Sequence, residues 1–243
     1  MNNTLVIIPT YNESENITLI IDAVLGDYPE IHLLVVDDNS PDGTSALVDG
    51  KKQDFNGRLF LETRIKKQGL GTAYIHGFKW AIARDYEYIF EMDADFSHDP
   101  ADIQTLHEAC ATHGADLAIG SRYVKGVNVV NWPMSRVLLS YIASKYVRFI
   151  TRMDIHDTTA GFICYRSSLL RKLNLDKIKF VGYAFQIEMK FKAYLLKAKI
   201  VEVPVIFTDR SRGQSKMSSG IINEAAIGIL RMKVKSLLGR LEL

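Results

Sequence analysis

Tyr88-Ile89-Phe90-Glu91-Met92-Asp93-Ala94-Asp95 reads as a buried strand that runs into two carboxylates one residue apart. Side chains alternate along a strand, so Asp93 and Asp95 are expected on one side of it. Two like charges there repel unless a cation lies beside them, and hard divalent cations take carboxylate oxygens. A three-residue acidic pattern also fits an ordinary surface loop. The rest of the chain has to decide between the two readings.

Outward from this stretch, short apolar runs recur: Leu5-Val6-Ile7-Ile8, Leu33-Leu34-Val35-Val36, Leu59 to Thr63 and Leu117-Ala118-Ile119-Gly120. Segments with helical spacing separate them, notably Ile17 to Leu25, Leu70 to Ala83 and Pro100 to His113. Apolar strands alternating with helices predict an α/β protein with a doubly wound, mostly parallel sheet. Ligands of such sheets bind beyond the carboxyl ends of the strands. Those ends carry Pro9 to Glu13, Asp37-Asp38, Asp93 to Asp95 and Gly120-Ser121-Arg122. Acids from two strands and an arginine from a third are thus expected on one edge, which favours the metal reading of Asp93 and Asp95. The first βα turn has no Gly-x-Gly-x-x-Gly, and no Gly-x-x-x-x-Gly-Lys-Ser/Thr occurs, which disfavours dinucleotide and P-loop sites. Gly69-Leu70-Gly71 reads first as a tight helix entry, with phosphate contact as the lesser option. An acidic edge with a nearby arginine suits a nucleoside diphosphate held through a divalent metal.

Composition bounds the remaining choices. The chain has 243 residues, 47% of them hydrophobic, and a formal net charge of +2, so it can bury a large core and carries no charge excess that calls for a nucleic acid. Cys110 and Cys164 lack metal-ligand spacing and are expected as buried, reduced thiols of a cytoplasmic protein. The strand beginning near Thr4 leaves no room for a secretory leader, and no apolar run reaches the length of a membrane span. Trp80, Phe90 and Phe96 are expected in the core, Glu91 in a structural role, and His76, His98 and His107 in surface or packing positions.

Ile8-Pro9-Thr10-Tyr11-Asn12-Glu13, Val36-Asp37-Asp38-Asn39-Ser40-Pro41-Asp42-Gly43-Thr44, Gly69 to Gly77 and Met92-Asp93-Ala94-Asp95 resemble the family 2 inverting glycosyltransferases. Gly120-Ser121-Arg122-Tyr123, Asp157 to Phe162, Gly182 to Glu188 and Asp209-Arg210 with Ser215-Lys216 extend the resemblance to the dolichol-phosphate (polyprenol-phosphate) mannose synthases. The resemblance implies a glycosyltransferase-A-like fold with a Rossmann-like nucleotide-binding half. It implies one catalytic domain over 1–243, with a nucleotide-sugar half at 1–125 and an acceptor half at 126–243. It implies transfer of mannose from GDP-mannose to a dolichyl or polyprenyl phosphate, with Mg²⁺ or Mn²⁺ as cofactor. By the same analogy Pro9, Tyr11, Glu13, Val36 and Asp38 line the guanosine side. Asp93, Ala94 and Asp95 meet diphosphate, metal and sugar, while Arg122, Arg210 and Lys216 bind phosphates or sugar hydroxyls. Arg136 stands where the family seats the acceptor phosphate. Many relatives place a third polar metal contact after the acidic motif; Ser97 occupies that place here, with water as the alternative. A glucosyl donor, another family 2 reaction and a catalytically silent nucleotide-binding module stand as alternatives.

Apolar and basic residues mix irregularly from Trp132 to Arg152. The pattern fits a helix on an anionic interface and equally a core-packed helix with a basic outer face. Near the C-terminus Ile222, Ala226, Ile229 and Leu230 form a stripe that Lys233 interrupts. A polyprenyl acceptor lives in a bilayer, so peripheral attachment on the cytoplasmic face is expected, directly or through a membrane subunit.

Overall fold

Every apolar run in the first half becomes a strand. In this computed structural model residues 1–182, 184–209 and 220–243 are described, with backbone only for 220–225. The elements through the fifth strand are β1 (Thr4–Thr10), α1 (Ile17–Asp27), β2 (Ile31–Asp37), α2 (Thr44–Lys51), β3 (Leu59–Thr63), α3 (Leu70–Ile82), β4 (Tyr88–Glu91), α4 (Asp102–Ala111) and β5 (Leu117–Ser121). Then come β6 (Val129–Val130), α5 (Met134–Thr151), β7 (Ile163–Arg166), α6 (Ser167–Leu170), α7 (Ala184–Leu195), β8 (Ile200–Pro204), β9 (Phe207–Thr208) and α8 (Gly220–Leu237).

The described residues form a seven-stranded sheet in the order β3-β2-β1-β4-β7-β5-β8, and β6 pairs with β9 in a small parallel ribbon. β7 runs antiparallel to both β4 and β5, while every other pair in the large sheet is parallel. The chain winds outward from β1 to β2 and β3, then returns to β4 on the other side of β1. The crevice for a ligand in such a sheet opens at this reversal, above the ends of β1 and β4. Asp93 and Asp95 follow β4 directly.

Burial on both faces explains the uninterrupted apolar strands. Leu5 and Ile7 of β1 join Leu34, Val36, Tyr74, Phe78 and Phe185 in one core. Their neighbours Val6 and Ile8 join Val35, Ile17, Ile21 and Phe90 in the core on the opposite face. Phe90 and Trp80 are buried as expected, but Phe96 is 36% exposed. Its backbone is left-handed, with φ at 59°. That turn directs the ring outward while Asp95 and Ser97 on either side are buried. Cys110 and Cys164 are free and buried, with the Cys110 thiol 3.6 Å from the Cys164 carbonyl.

The glycine pair is a tight helix entry. Gly69 has φ of 101°, and the Gly71 amide donates to the Val181 carbonyl at 2.8 Å. A Cβ on Gly71 would stand 2.7 Å from the Phe185 ring and 2.9 Å from the Phe180 carbonyl oxygen. The backbone oxygen cannot swing away as a side chain can. Gly71→Ala is therefore expected to lower stability by about 1–3 kcal/mol, read as a lower urea midpoint at unchanged slope.

α5 is not core-packed on its apolar side. Val147 is buried, but Met134, Leu138, Ile142 and Phe149 are exposed by 69%, 52%, 61% and 67%. The core-packed reading of 132–152 is thus incorrect for most of its apolar residues. α8 lies against α5: the Tyr146 hydroxyl donates to the Ala226 carbonyl at 3.1 Å, and the Lys233 ammonium to the Thr151 carbonyl at 3.1 Å. Lys233 interrupts the stripe because it caps the last turn of α5. No helix among the described residues is long and apolar enough to cross a membrane.

Candidate active site

Asp93 and Asp95 line one cavity of about 430 Å³ together with Ser97, His98, Arg122 and Arg136. The strand has ended at Glu91, so the shared direction of the two acids comes from the turn that follows and not from strand alternation. Asp95 is 6% exposed. Its Oδ1 accepts the Ser97 amide at 3.1 Å and, at shorter range, the Ser97 hydroxyl. Ser97 thereby holds Asp95 in place. The Asp93 amide donates to His98 Nδ1 at 3.1 Å, and the Tyr74 hydroxyl lies 3.5 Å from its carboxylate.

His98 is no surface residue. It is buried, lines the cavity and stacks on Phe162 at 5.0 Å between ring centroids. An Nδ1 that accepts an amide hydrogen carries no proton, so the ring is neutral in this arrangement. Burial lowers its pKa to about 4 against the pull of Asp95, which agrees with that hydrogen bond.

Arg122 follows β5 and is held by Asp157, a residue to which sequence reasoning gave no role. Nε and Nη2 donate to the two carboxylate oxygens at 2.6 Å each, and the Arg122 amide adds a bond of 3.0 Å. Nη2 also donates to the Thr159 hydroxyl at 2.9 Å. Burial alone would raise the Asp157 pKa, but the charge and hydrogen bonds of Arg122 outweigh it and hold the carboxyl below its usual range. Glu202 of β8 anchors the same segment by accepting from the Asp157 amide at 2.9 Å, the His156 amide at 2.7 Å and the Ser121 hydroxyl at 2.7 Å. Arg122 thus brings a charge to the cavity that Asp157 partly neutralises.

Arg136 sits in the first turn of α5 and pairs with Asp209 at 2.8 Å. The Trp132 ring centre lies 4.1 Å from the Arg136 guanidinium carbon and 5.4 Å from that of Arg122. Contact of this kind with an aromatic face favours a guanidinium and helps to hold it in place.

Glu91 and Lys190 are buried beneath the cavity floor. Gln186, which lines the cavity, donates to Glu91, while the Lys190 ammonium donates to the Ala160 carbonyl at 2.7 Å. Burial pushes the Glu91 pKa up and the Lys190 pKa down, and their mutual attraction opposes both shifts. Glu91 supports the floor from below.

The two acids at the end of β2, Asp37 and Asp38, do not line this cavity. Asp37 accepts from the Thr10, Ser40 and Ser45 hydroxyls at 2.7, 2.6 and 2.7 Å, and so clasps the turn. Asp38 is buried and accepts from Arg64 Nε at 2.5 Å. Tyr11 has the Lys67 ammonium 4.3 Å from its ring centre, and Glu13 accepts from the Asn16 side chain at 3.1 Å. Val36 and Ala94 are buried and pack in the two cores, and Pro9 is half-buried. Arg210 and Lys216 lie outside the described residues.

Away from the acids the cavity continues between three helices. Leu139, Ile142 and Tyr146 of α5, Ile187 of α7 and Ile229 of α8 form its walls. One end is therefore charged and the other apolar. The two carboxylates offer hard oxygen donors to a divalent cation, with room beside them. No group of three or more His, Cys, Asp and Glu that would hold a metal occurs among the described residues. Two carboxylates fit a cation that completes its shell with substrate phosphate oxygens and water.

A family model described as Glycosyl transferase family 2 matches residues 5–174. The polyprenol monophosphomannose synthase of Mycolicibacterium smegmatis is 46% identical over 237 residues, covering 98% of this chain and 89% of that protein. The undecaprenyl-phosphate mannosyltransferase of Micrococcus luteus is 45% identical over 227 residues, covering 93% and 92%. Among solved structures, glucosyl-3-phosphoglycerate synthase from Mycobacterium tuberculosis, in complex with Mn²⁺, uridine diphosphate and phosphoglyceric acid, matches with a TM-score of 0.68. Identity there is 17%, over 98% of this chain and 78% of that one, so the likeness is one of fold.

Proposed function

The chain belongs to glycosyl transferase family 2, and from that premise we propose that it transfers mannose from GDP-mannose to a polyprenyl phosphate. One observation carries the reading: a single cavity joins Asp93, Asp95, Arg122 and Arg136 to an apolar channel between α5, α7 and α8. A nucleotide diphosphate suits the charged end and a polyprenyl chain the apolar end. The two relatives whose names specify polyprenyl or undecaprenyl mannose transfer support it, as they align over nearly the whole chain.

The acceptor simplifies the chemistry. A phosphate monoester has a second pKa of about 6 and is an anion at neutral pH, so its attack needs no general base. Neutral His98 and the buried Glu91 are consistent with a site that moves no proton. An acceptor oxygen attacks the anomeric carbon as the bond to the GDP oxygen breaks, and GDP leaves with the electron pair. Direct displacement inverts the anomeric centre and gives a β-linked product. Arg136, oriented by Asp209 and Trp132, seats the acceptor phosphate. Arg122 faces the donor diphosphate, where Arg210 and Lys216 join it. Pro9, Tyr11, Glu13, Val36 and Asp38 form the guanosine side. The apolar walls keep water, a competing nucleophile, from the anomeric carbon.

Asp93 and Asp95 would hold Mg²⁺ or Mn²⁺, with Ser97 or water beside them. When bound, the cation offsets the charge that grows on the leaving diphosphate. Chelation by EDTA is expected to stop turnover, and added Mg²⁺ or Mn²⁺ to restore it. Unchanged turnover in excess EDTA would remove this role from the acid pair. Exposed apolar residues on α5 and α8 support peripheral attachment at the cytoplasmic face of a membrane, where the acceptor is reached. Incubation with GDP-mannose, a polyprenyl phosphate and Mg²⁺ is expected to yield a mannolipid and GDP. A panel of other nucleotide sugars separates this reading from a glucosyl donor, and absence of product with every donor would defeat it.

A further inference from the structure

A second cavity, of about 540 Å³, opens on the side of α8 turned away from α5. Lys177 and Lys179 line one side, Arg231 and Lys235 of α8 another, and Arg240 the chain end. Its floor is built. The Phe180 ring lies so close to Gly228 that a Cβ there would stand 2.5 Å from it. The buried Glu188 carboxylate accepts the Lys179 and Phe180 amides at 2.8 and 3.0 Å and pairs with the Lys192 ammonium at 3.5 Å.

The charge in this cavity is unbalanced. Glu188 is matched by Lys192, and Glu242 by Lys177 at 3.2 Å. Lys179, Arg231, Lys235 and Arg240 have no carboxylate partner among the described residues. Lys179 and Lys235 approach closely enough that this contact and its like-charge repulsion, with that of Arg231, lower the Lys235 pKa. With Glu188 and Glu242 each matched by a lysine, the four remaining cations leave the cavity a net positive charge that suits an anion.

The position selects the anion's source. Ile227, Leu230, Val234 and Leu237 recur at helical spacing on α8 and are exposed by 55%, 48%, 47% and 73%. Arg231 and Lys235 stand immediately beside that strip on the helix surface. An apolar strip flanked by a basic hollow matches a bilayer surface, with chains below and headgroups alongside. We propose that the cavity bounded by Lys179, Arg231, Lys235 and Arg240 binds the phosphate-bearing headgroup of an anionic lipid, at a site separate from the transfer cavity. The site holds α8 at one depth and orientation against the membrane. The proposal stands apart from the transfer reaction, because its test reads binding and not turnover.

Vesicle flotation tests it, with phosphatidylcholine vesicles compared against vesicles that also contain phosphatidylglycerol. The whole protein is expected to favour the anionic vesicles by about tenfold or more. Lys179→Gln/Arg231→Gln/Lys235→Gln is expected to lose most of that preference. Lys52→Gln/Lys172→Gln/Lys197→Gln removes the same charge elsewhere and is expected to keep it. Equal losses in the two triple variants would reduce the effect to net charge and overturn the site. A wild-type protein without preference for anionic vesicles would overturn it as well. Inorganic phosphate supplies the third arm, at ionic strength matched with chloride. If phosphate alone raises the melting temperature of the wild type but not of the cavity variant, while both bind anionic vesicles equally, the site takes free phosphate and the headgroup assignment fails. Should the triple variant fold poorly, Lys235→Gln alone, at an exposed position, makes the same comparison with a smaller shift.

Discussion

Asp95→Asn is expected to abolish measurable transfer, a loss of about 10³-fold or more, while the protein still folds. The size follows from the proposed role: a charge that answers a metal-bound diphosphate would be worth about 4 kcal/mol or more in the transition state. Asparagine is the informative replacement because Asp95 is buried. Its Oδ1 accepts both the amide and the hydroxyl of Ser97, and an amide oxygen can continue to do so. Alanine would strip both donors of their acceptor and cost about 1–3 kcal/mol, mixing a folding defect with a chemical one. Initial rates beside a thermal melt check the expectation. A variant that melts like the wild type and retains even a tenth of its rate would remove Asp95 from the donor clamp.

The largest stability effect is expected at Asp157. Asp157→Ala leaves the Arg122 guanidinium buried without its counter-charge, and breaking a buried pair in this way costs about 3–5 kcal/mol. Arg122→Met/Asp157→Leu removes both charges and is expected to regain much of the loss while remaining inactive. Urea denaturation measures the first effect, and the transfer assay on the double variant separates support from catalysis. If Asp157→Ala unfolds at the wild-type midpoint, the pair holds nothing together. The pH dependence has a definite sign. The folded pKa of Asp157 is depressed, so its stabilisation is complete above the unfolded carboxylate value of about 3.9 and fades as pH falls through the folded value. In the double variant that part of the acid sensitivity disappears.

The sheet was legible because β1, β2 and β4 are buried on both faces and so show unbroken apolar runs. The edge where Asp93 and Asp95 gather followed from the same reading. β7 was not legible: Ile163 to Arg166 is four residues long, and nothing in its composition marks it as antiparallel. Asp157 and Glu202 act through partners distant in the chain, Arg122 and the backbone of 156–157, so no local spacing reveals them. The polar run Asp157-Thr158-Thr159 before an apolar strand was the available signal. Phe96 was misplaced because an aromatic ring beside buried residues suggests core, whereas the left-handed turn there is a backbone property. Asp37 and Asp38 look alike in sequence, yet Asp37 clasps its own turn while Asp38 pairs with Arg64 across it, a difference set by a partner 26 residues away.

β7 carries a consequence for chimeras. It is encoded in the second half of the chain, yet it lies between β4 and β5 of the first. The segment that enters it contains Asp157, and β4 pairs with it from Tyr88↔Arg166 to Glu91↔Ile163. Exchanging second halves between relatives to alter acceptor preference therefore also replaces the strand beside the one that leads to Asp93 and Asp95. A boundary drawn near residue 125 is thus no seam at which the protein can be recombined, and a clean exchange has to spare residues 157–166.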